Sequence, residues 1–242
     1  MLLLISLLLL SLLIGSTLFF HPLWLVRLLN RWHPEILWFV QPGASATSPS
    51  SSRPRIFLTI DDSPNGARTC TILALLKQYQ AKATFFCIGT HMKQFPEETI
   101  DILASGHSIG NHTMLDRASY QLSAEELSRD VAETQSVIDA AHREWLRRSK
   151  PSVGPQLPLQ TVSPRQFFRP GHGFFNASML RMARERGMLV ELGSLYPFDP
   201  HIRIPWLIIL FIKLRIWCNF RRTNGQEELF SSCTTTSQDR RC

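Results

Sequence analysis

The 242-residue chain lacks the sequence signatures of several common protein classes. It has five cysteines but no C-x-x-C pair, so their spacing predicts neither a zinc knuckle nor a disulfide framework. It also has no aromatic-basic ribonucleoprotein motif, no zinc-finger spacing and no basic helix followed by heptads. We therefore do not expect nucleic acid as a partner, and cysteine usage does not decide the redox compartment.

Acidic residues are scarce relative to basic ones. The sequence has 19 Asp and Glu against 26 Lys and Arg, which gives a net charge of +7 with the histidines neutral. This excess suits an anionic surface such as lipid headgroups or acidic glycans. The apolar content is ordinary for a globular protein, so the chain can hold one full domain with an appendage, or two small domains.

The first 20 residues contain neither a charge nor a proline. An apolar helix of that length crosses a bilayer core of ~30 Å, so we expect residues 1–20 to form a single-pass transmembrane anchor. A cleaved signal peptide is the alternative, but no basic residue precedes the apolar run and the nearest small-x-small site is at residues 44–46. We expect the domain that follows to be extracytoplasmic, although Arg27 and Arg31 argue for the opposite orientation by the positive-inside rule.

Composition divides the rest of the chain into four segments. Residues 21–41 mix aliphatic side chains with tryptophan and arginine, which is typical of an interfacial amphipathic segment. Residues 42–54 are small, polar and proline-rich, which predicts a flexible linker. The main domain follows at 55–215. Residues 216–242 have no apolar periodicity, and we expect this atypical tail to be largely disordered.

The main domain alternates strand and helix patterns. Residues 55–60 and 82–88 are short runs rich in β-branched and aromatic side chains, and the segment between them has leucine and isoleucine at helical spacing. Ser123 and Glu126 form a capping-box pattern at the start of a long helix. The same patterns predict further helices at 97–106 and 176–187, and further strands at 107–113, 165–169 and 187–194. Repeated alternation predicts an α/β fold with a parallel sheet or barrel, whose active sites gather at the carboxyl ends of the strands.

Three polar clusters follow predicted strands: Asp61 with Asp62, His112 with Asp116, and Arg169 with His172. Each has an ordinary explanation when taken alone. Adjacent aspartates before Ser-Pro-Asn-Gly suit a solvated turn, a histidine with an acid four residues later is a common surface pair, and Arg-Pro-Gly is a frequent turn. Their order and their shared position after strands favour a catalytic site.

In these clusters the sequence resembles the NodB-homology polysaccharide deacetylases, metal-dependent carbohydrate esterases that remove N- or O-acetyl groups from chitin, peptidoglycan and related glycans. The resemblance covers about residues 54–200. The family motif T-F-D-D-G appears as Thr-Ile-Asp-Asp-Ser at 59–63, and H-[ST]-x-x-H appears at 112–116 with an acid in place of the second histidine. A close variant of R-x-P-[YW] appears at 169–173. The resemblance implies an irregular (β/α) barrel.

The resemblance also assigns roles to individual residues. Asp61 becomes the catalytic base and Asp62 a metal ligand, with Arg169 beside the base, Asp199 as a candidate partner for Arg169, and a backbone N–H near His172 supporting the oxyanion. Asp62, His112 and Asp116 then supply three ligands and leave a position open for water, as catalytic zinc requires. Because a carboxylate replaces a histidine, Mn²⁺ and Mg²⁺ are alternatives to Zn²⁺.

One family motif is missing from the sequence. Late in the domain these deacetylases usually carry Leu-x-His, whose histidine protonates the leaving amine, and no Leu-x-His occurs in this chain. His172 or His201 could replace it. Loss of a general acid reduces the rate roughly 10²–10⁴-fold. The missing motif leaves open whether the barrel is complete at its C-terminal end. One hypothesis is that the chain after about Arg215 is an altered reading frame, a retained intron or a degenerated end.

These observations favour a membrane-tethered, metal-dependent hydrolase that removes acetyl groups from an N-acetylated polysaccharide or oligosaccharide, breaking a carbon–nitrogen bond that is not a peptide bond. A catalytically impaired, membrane-tethered carbohydrate-binding or scaffold protein is one alternative. A plain membrane protein whose soluble part packs against partners is another. The sequence does not predict the glycan or the oligomeric state.

Overall fold

The computed structural model describes residues 5–6, 10–11, 23–40, 56–149, 166–196, 206–210, 212–214 and 228–234. The predicted transmembrane anchor lies almost entirely outside these residues, and the predicted linker, Asp199 and His201 lie wholly outside them. Within the described part of the chain, no helix is both long enough and apolar enough to cross a membrane. The predicted division of the chain into segments stays a prediction.

The described residues alternate strands and helices, as the sequence predicts. In chain order the strands are β1 (Ile36–Leu37), β2 (Phe39–Val40), β3 (Ile56–Ser63), β4 (Ala83–Cys87), β5 (Ser108–Asn111), β6 (Phe167–Phe168), β7 (Leu189–Glu191) and β8 (Glu228–Thr234). The helices are α1 (Leu23–Trp32), α2 (Gly66–Gln78), α3 (Gly89–Gln94), α4 (Pro96–Ala104), α5 (Ala124–Ser149) and α6 (Ala177–Glu185). Short 3₁₀ turns cover Ser119–Gln121 and Gly171–Gly173.

These strands form one sheet in the order β1-β7-β6-β5-β4-β3-β8-β2. Neighbouring strands are parallel from β1 through to β8, and β2 pairs antiparallel with β8. The predicted α/β class with a parallel sheet is therefore confirmed. The edge strands β1 and β2 are consecutive in the chain with only Trp38 between them, so the sheet must curve to bring its two edges together.

Part of the segment that we expected at a membrane interface lies in the core of the domain. Helix α1 buries Val26, and the following residues bury Ile36 and Trp38 in a cluster with Phe168 and Val190. The amphipathic pattern was read correctly, but its apolar face packs against the sheet. A protein core and a membrane interface select the same kind of amphipathic helix, so the pattern alone does not distinguish them.

The C-terminal tail contributes a strand, which differs from the expectation of disorder over 216–242. Strand β8 pairs in parallel with β3 over six residues, so that Ile60 is opposite Cys233 and Asp61 is opposite Thr234. Its serines, threonine and cysteine show no apolar alternation, which is why the sequence pattern did not reveal it. The backbone hydrogen bonds of β3 are thereby continued on the side away from β4.

The apolar core has two parts. One lies between strands β3 to β5 and helices α2, α4 and α5, and it includes Leu73, Phe85, Ile102, Ile109 and Ile138. The other lies around β6 and β7, beneath α1 and α6. Together they hold the strands in register, which places the carboxyl ends of β3, β5, β6 and β7 at a common edge.

The start of the long helix α5 confirms a local prediction. The Ser123 hydroxyl accepts a hydrogen bond from the Glu126 N–H at 3.1 Å, and the Glu126 carboxylate accepts one from the Ser123 N–H at 2.9 Å. This reciprocal capping box satisfies two backbone donors at the helix start. The loop that precedes it, which carries the 3₁₀ turn Ser119–Gln121, therefore ends at a defined point.

Candidate active site

The polar side chains singled out in the sequence gather where parallel strands end. Asp61 and Asp62 belong to the last residues of β3, His112 directly follows β5, and Arg169 directly follows β6. Because these strands are parallel, their carboxyl ends lie at the same edge of the sheet. The structure adds Glu191, the last residue of β7, to this group.

Asp61 and Asp62 occupy different backbone conformations despite being neighbours. Asp62 has φ of +60°, and the pairing of β3 with β4 shifts register between Ile60 and Ser63. Asp is one of the few residues other than Gly that adopts this left-handed conformation readily. The Asp62 carbonyl also accepts a hydrogen bond from His91 Nδ1 at 3.0 Å. The kink separates the surroundings of the two carboxylates.

Asp61 is buried and paired with Arg169. The guanidinium Nη1 donates to Asp61 Oδ1 at 2.5 Å and to the Thr59 hydroxyl at 2.9 Å, and all three residues are at least 94% buried. The Arg169 Cζ atom lies 4.0 Å from the centre of the Phe86 ring. A buried carboxylate needs a counter-charge, and Arg169 supplies it through hydrogen bonds that fix the direction of the carboxylate.

Glu191 shares the Arg169 guanidinium with Asp61. Arg169 Nε donates to the Glu191 carbonyl at 3.1 Å, and Nη2 lies 3.4 Å from Glu191 Oε1. Burial raises the pKa of Glu191 to about 7, with the Arg169 charge opposing this rise and the Asp61 charge adding to it. Two buried carboxyls thus share one cation, and near neutral pH the proton resides on Glu191 for much of the time.

Asp62 and His112 form the second contact of the site. His112 Nδ1 donates to the Arg169 carbonyl at 2.8 Å, which directs Nε2 to Asp62 Oδ1 at 3.4 Å. Burial lowers the pKa of His112, but the Asp62 and Asp61 carboxylates and the Arg169 carbonyl outweigh it and raise the pKa above its usual value. With Nδ1 protonated, neutral His112 would face the carboxylate with a lone pair. Two facing acceptors require a proton or a cation between them.

This donor pair fits a divalent cation, whereas the third predicted ligand does not join it. Asp116 lies exposed in the bends after β5, and within the described residues no three His, Cys, Asp or Glu side chains gather in a metal-binding arrangement. Asp62 and His112 supply one oxygen and one imidazole nitrogen, which suit Zn²⁺ and also Mn²⁺. The imidazole is held through its other nitrogen, as is usual for a metal-ligating histidine.

His172 lies at the surface of the same edge. It is exposed within the 3₁₀ turn Gly171–Gly173 and has φ of +63°. The turn is held by the Gly171 N–H, which donates to the Ser119 hydroxyl at 2.7 Å. A Cβ on Gly171 would lie 2.3 Å from the Arg117 carbonyl, so only glycine permits this approach of the two loops. The loops that follow β5 and β6 are thus locked together.

Cys87, the last residue of β4, has no nucleophilic character at this site. Burial, followed by the nearby Asp61 carboxylate, strongly raises the pKa of its thiol. Only the thiolate is a good nucleophile, so a buried thiol beside a carboxylate is inert. Cys87 therefore behaves as a small, buried hydrophobic residue.

Two residues of the site were missed in the sequence. Glu191 could have been found as an acid inside the apolar run Met-Leu-Val-Glu-Leu, since a charge in a buried strand requires a partner. The second is His91, which lies on α3 and donates a hydrogen bond to the Asp62 carbonyl across 29 residues of sequence. No local pattern indicates that contact.

Comparisons with known proteins identify the family of the chain. Residues 48–152 match the family model described as polysaccharide deacetylase. A chitooligosaccharide deacetylase from Rhizobium leguminosarum bv. trifolii is 31% identical over 159 residues, which cover 60% of this chain and 73% of that protein. The chain belongs to the polysaccharide deacetylase family. The predicted resemblance is thereby confirmed.

Other proteins are similar to parts of this chain in sequence or in fold. A peptidoglycan-N-acetylglucosamine deacetylase from Bacillus cereus is 32% identical over 139 residues, which cover 57% of this chain and 56% of that protein. The chain thus spans little more than half the length of that relative. A crystal structure of a CE4 family pseudoenzyme from Bacillus anthracis has the same fold, with a TM-score of 0.58 and 19% identity over 76% of this chain and 56% of that chain.

Proposed function

We propose that this polysaccharide deacetylase family member is a metal-dependent hydrolase that removes acetyl groups from an N-acetylated polysaccharide. The observation that carries the proposal is the arrangement of two contacts at one edge of the sheet. Asp61 is buried against Arg169, and Asp62 faces His112, whose ring is held by the Arg169 carbonyl. The Asp61–Arg169 contact suits a general base, and the Asp62–His112 contact suits a bound cation.

Asp61 is the proposed general base. Its carboxylate takes a proton from the attacking water, and the Arg169 guanidinium pairs with it and orients it before that transfer. Thr59 donates no charge, but its hydroxyl accepts the second hydrogen bond of Arg169 Nη1 and so limits the rotation of the guanidinium. Arg169 is therefore a positioning residue for Asp61.

Asp62 and His112 are the proposed metal ligands. Asp116, which the structure does not bring together with them, stays a predicted third ligand. Zinc is the first choice and Mn²⁺ or Mg²⁺ are alternatives. When bound, a divalent ion at this position supplies Lewis-acid polarisation of the acetyl carbonyl and lowers the pKa of water. The contribution of the protein is to hold the His112 ring through Nδ1, which leaves Nε2 available on the Asp62 side.

The histidine of Leu-x-His, which usually protonates the leaving amine in this family, does not occur in the sequence. His172 is a candidate because it is exposed at the same edge, and a backbone N–H of that turn is a candidate for the oxyanion. Asp199 stays a proposed partner of Arg169, in addition to Asp61 and Glu191. The proposed membrane tether at residues 1–20 would place the domain beside a cell-surface glycan if the domain is extracytoplasmic.

A carbohydrate-binding or scaffold protein without turnover is the second candidate function. It is favoured by the absence of Leu-x-His from the sequence. A structural neighbour with the same fold, from Bacillus anthracis, is itself described as a CE4 family pseudoenzyme. Both candidates place an acetylated glycan at the same edge of the sheet.

Acetate release from an N-acetylglucosamine tetramer, catalysed by the full chain loaded with Zn²⁺, tests the proposal. Asp61→Asn should lower the rate roughly 10²–10⁴-fold, as expected for loss of a general base. Asp62→Ala should lose both activity and bound metal, with the metal measured by mass spectrometry after dialysis. Asp101→Asn, an exposed aspartate on α4, is the matched control. Equal metal content in the wild-type chain and Asp62→Ala, without acetate release, would contradict the proposal.

A further inference from the structure

Two exposed aromatic rings lie on the loops that leave the candidate active site. Tyr120 is 51% exposed and Phe174 is 61% exposed. Their ring centres are 5.5 Å apart and their planes meet at 86°, so the edge of one ring rests on the face of the other. Both residues stay more than half exposed despite this contact. We call Tyr120 and Phe174 the aromatic pair.

The aromatic pair belongs to the catalytic edge of the sheet. Tyr120 follows His112 in the loop after β5, and Phe174 follows Arg169 in the loop after β6. These two strands are neighbours, with Asn111 opposite Phe168. The rings therefore lie near the carboxyl ends of β5 and β6, on the same two loops that carry His112 and Arg169.

Neighbouring residues hold both loops rigidly while the rings stay exposed. The buried Ser119, next to Tyr120, accepts the hydrogen bond from the Gly171 N–H. Phe175, next to Phe174, packs into the core against Trp38, with ring centres 6.1 Å apart. Phe175 thus anchors the loop in the core, and the neighbouring Phe174 is exposed to solvent. Rings fixed in this way lose little conformational entropy when a ligand covers them.

Exposed, rigid aromatic faces beside a polar site match the chemistry of a sugar ring. A pyranose presents C–H groups on one face, which pack on an aromatic face, and hydroxyls at its rim, which stay hydrated. Ligand sites generally combine aromatic surface with a few polar groups, and a clustered exposed apolar patch marks an interaction surface. The aromatic pair carries no charge, so it suits a neutral ring better than an anionic group.

We propose that Tyr120 and Phe174 form a stacking platform for a sugar ring of the acetylated glycan. The inference rests on the proposed function for its choice of ligand, and it adds the residues that bind the chain of sugars rather than the acetyl group. The platform binds the ground state and the transition state equally. Its removal therefore raises KM and leaves kcat nearly unchanged.

Calorimetric binding of an N-acetylglucosamine tetramer to the full chain tests the platform. Phe174→Ala and Tyr120→Ala should each weaken binding roughly tenfold, which corresponds to ~1.4 kcal/mol. Tyr120→Phe and Phe174→Tyr keep a ring at each position and should bind as the wild-type chain does. Tyr79→Ala, which removes an exposed tyrosine at the end of α2, far from the carboxyl ends of the strands, is the matched control. Unfolding temperatures of all variants establish that they are folded.

Hydrolysis distinguishes failure of the platform from failure of the proposed function. If Phe174→Ala raises KM for the tetramer but hydrolyses 4-nitrophenyl acetate, which has no sugar, at the wild-type rate, both inferences are supported. Tetramer binding that depends on the aromatic pair without any acetate release supports the platform and contradicts hydrolysis. Equal tetramer affinity in the wild-type chain and the alanine variants overturns the platform. If the wild-type chain does not bind the tetramer, the platform is also overturned. This holds equally if the exposed Phe174 turns out to mediate self-association of the chain.

Discussion

Replacing Glu191 by glutamine should remove a pH-dependent loss of stability. The glutamate is buried at the end of β7, and burial raises its pKa from the usual 4.5 to about 7. Below about pH 4.5 the carboxyl is protonated in the folded and unfolded chain alike, so it does not affect the free energy of unfolding. As the pH rises, the unfolded chain loses the proton first, and the unfolded state is favoured.

The size of the effect follows from the difference between the two pKa values. That difference corresponds to about 3 kcal/mol in the free energy of unfolding, which is fully reached above about pH 7. Glutamine does not titrate, keeps an oxygen near Arg169 Nη2 and has almost the same volume as glutamate. The stability of Glu191→Gln relative to the wild-type chain should therefore increase by about 2.5 kcal/mol between pH 5 and pH 8.

Urea unfolding monitored by tryptophan fluorescence at pH 5, 6, 7 and 8 measures this difference. Trp38 is buried and serves as a probe. Titrating groups that do not interact with Glu191, such as His112, are common to both proteins, so their contributions cancel in the difference. Glu185→Gln, which replaces an exposed glutamate on α6, is the matched control substitution. A difference between Glu191→Gln and the wild-type chain that is the same at pH 5 and pH 8 would refute the assigned pKa and its cause.

Substitutions at three further positions, two of them compared with a second variant, test the site and the fold. Arg169→Met leaves the buried carboxylate of Asp61 without its counter-charge and should lower the free energy of unfolding by ~3–5 kcal/mol in urea titrations, with a smaller loss for Arg169→Lys. Phe168→Ala removes a fully buried ring and should cost ~3–5 kcal/mol, whereas Phe174→Ala should stay within ~0.5 kcal/mol, and equal losses would contradict the burial. Ser231→Pro removes a backbone donor from β8, between β3 and β2, and should lower stability by roughly 1–3 kcal/mol in thermal unfolding. An unchanged unfolding temperature would show that β8 contributes nothing to the fold.

Local patterns predicted most of the helices and strands of the main domain, but they did not predict α3 or the strands β1, β2 and β8. The Ser123–Glu126 capping box and the β3–α2–β4 unit depend on residues within one turn or one strand, and both occur as predicted. Patterns that extend over a few residues report on the local conformation because hydrogen bonds and side-chain periodicity act over the same distance. The sequence was ambiguous where two environments select the same pattern, as for helix α1.

The spacing of four residues between His112 and Asp116 is a case in which local reasoning was insufficient. On a helix this spacing places two side chains on one face. Residues 114–117 form bends after β5, however, and Asp116 is exposed while His112 is buried. The role of Asp116 as a third ligand stays a prediction, since the spacing of two residues carries no distance information outside regular structure.

The sequence by itself determined which residues could do chemistry: the two aspartates of β3, the histidine after β5 and the arginine after β6. Tertiary structure alone decided how they are paired. Arg169 contacts Asp61, 108 residues away in the sequence, and Glu191, 22 residues away. Strand β6 lies beside β7, and the Arg169 side chain at the end of β6 extends along the edge of the sheet to the end of β3. The pairing of buried charges depends on strand order and register, which no local pattern encodes. For the same reason, the core position of Trp38 and the strand formed by residues 228–234 became evident only in the folded chain.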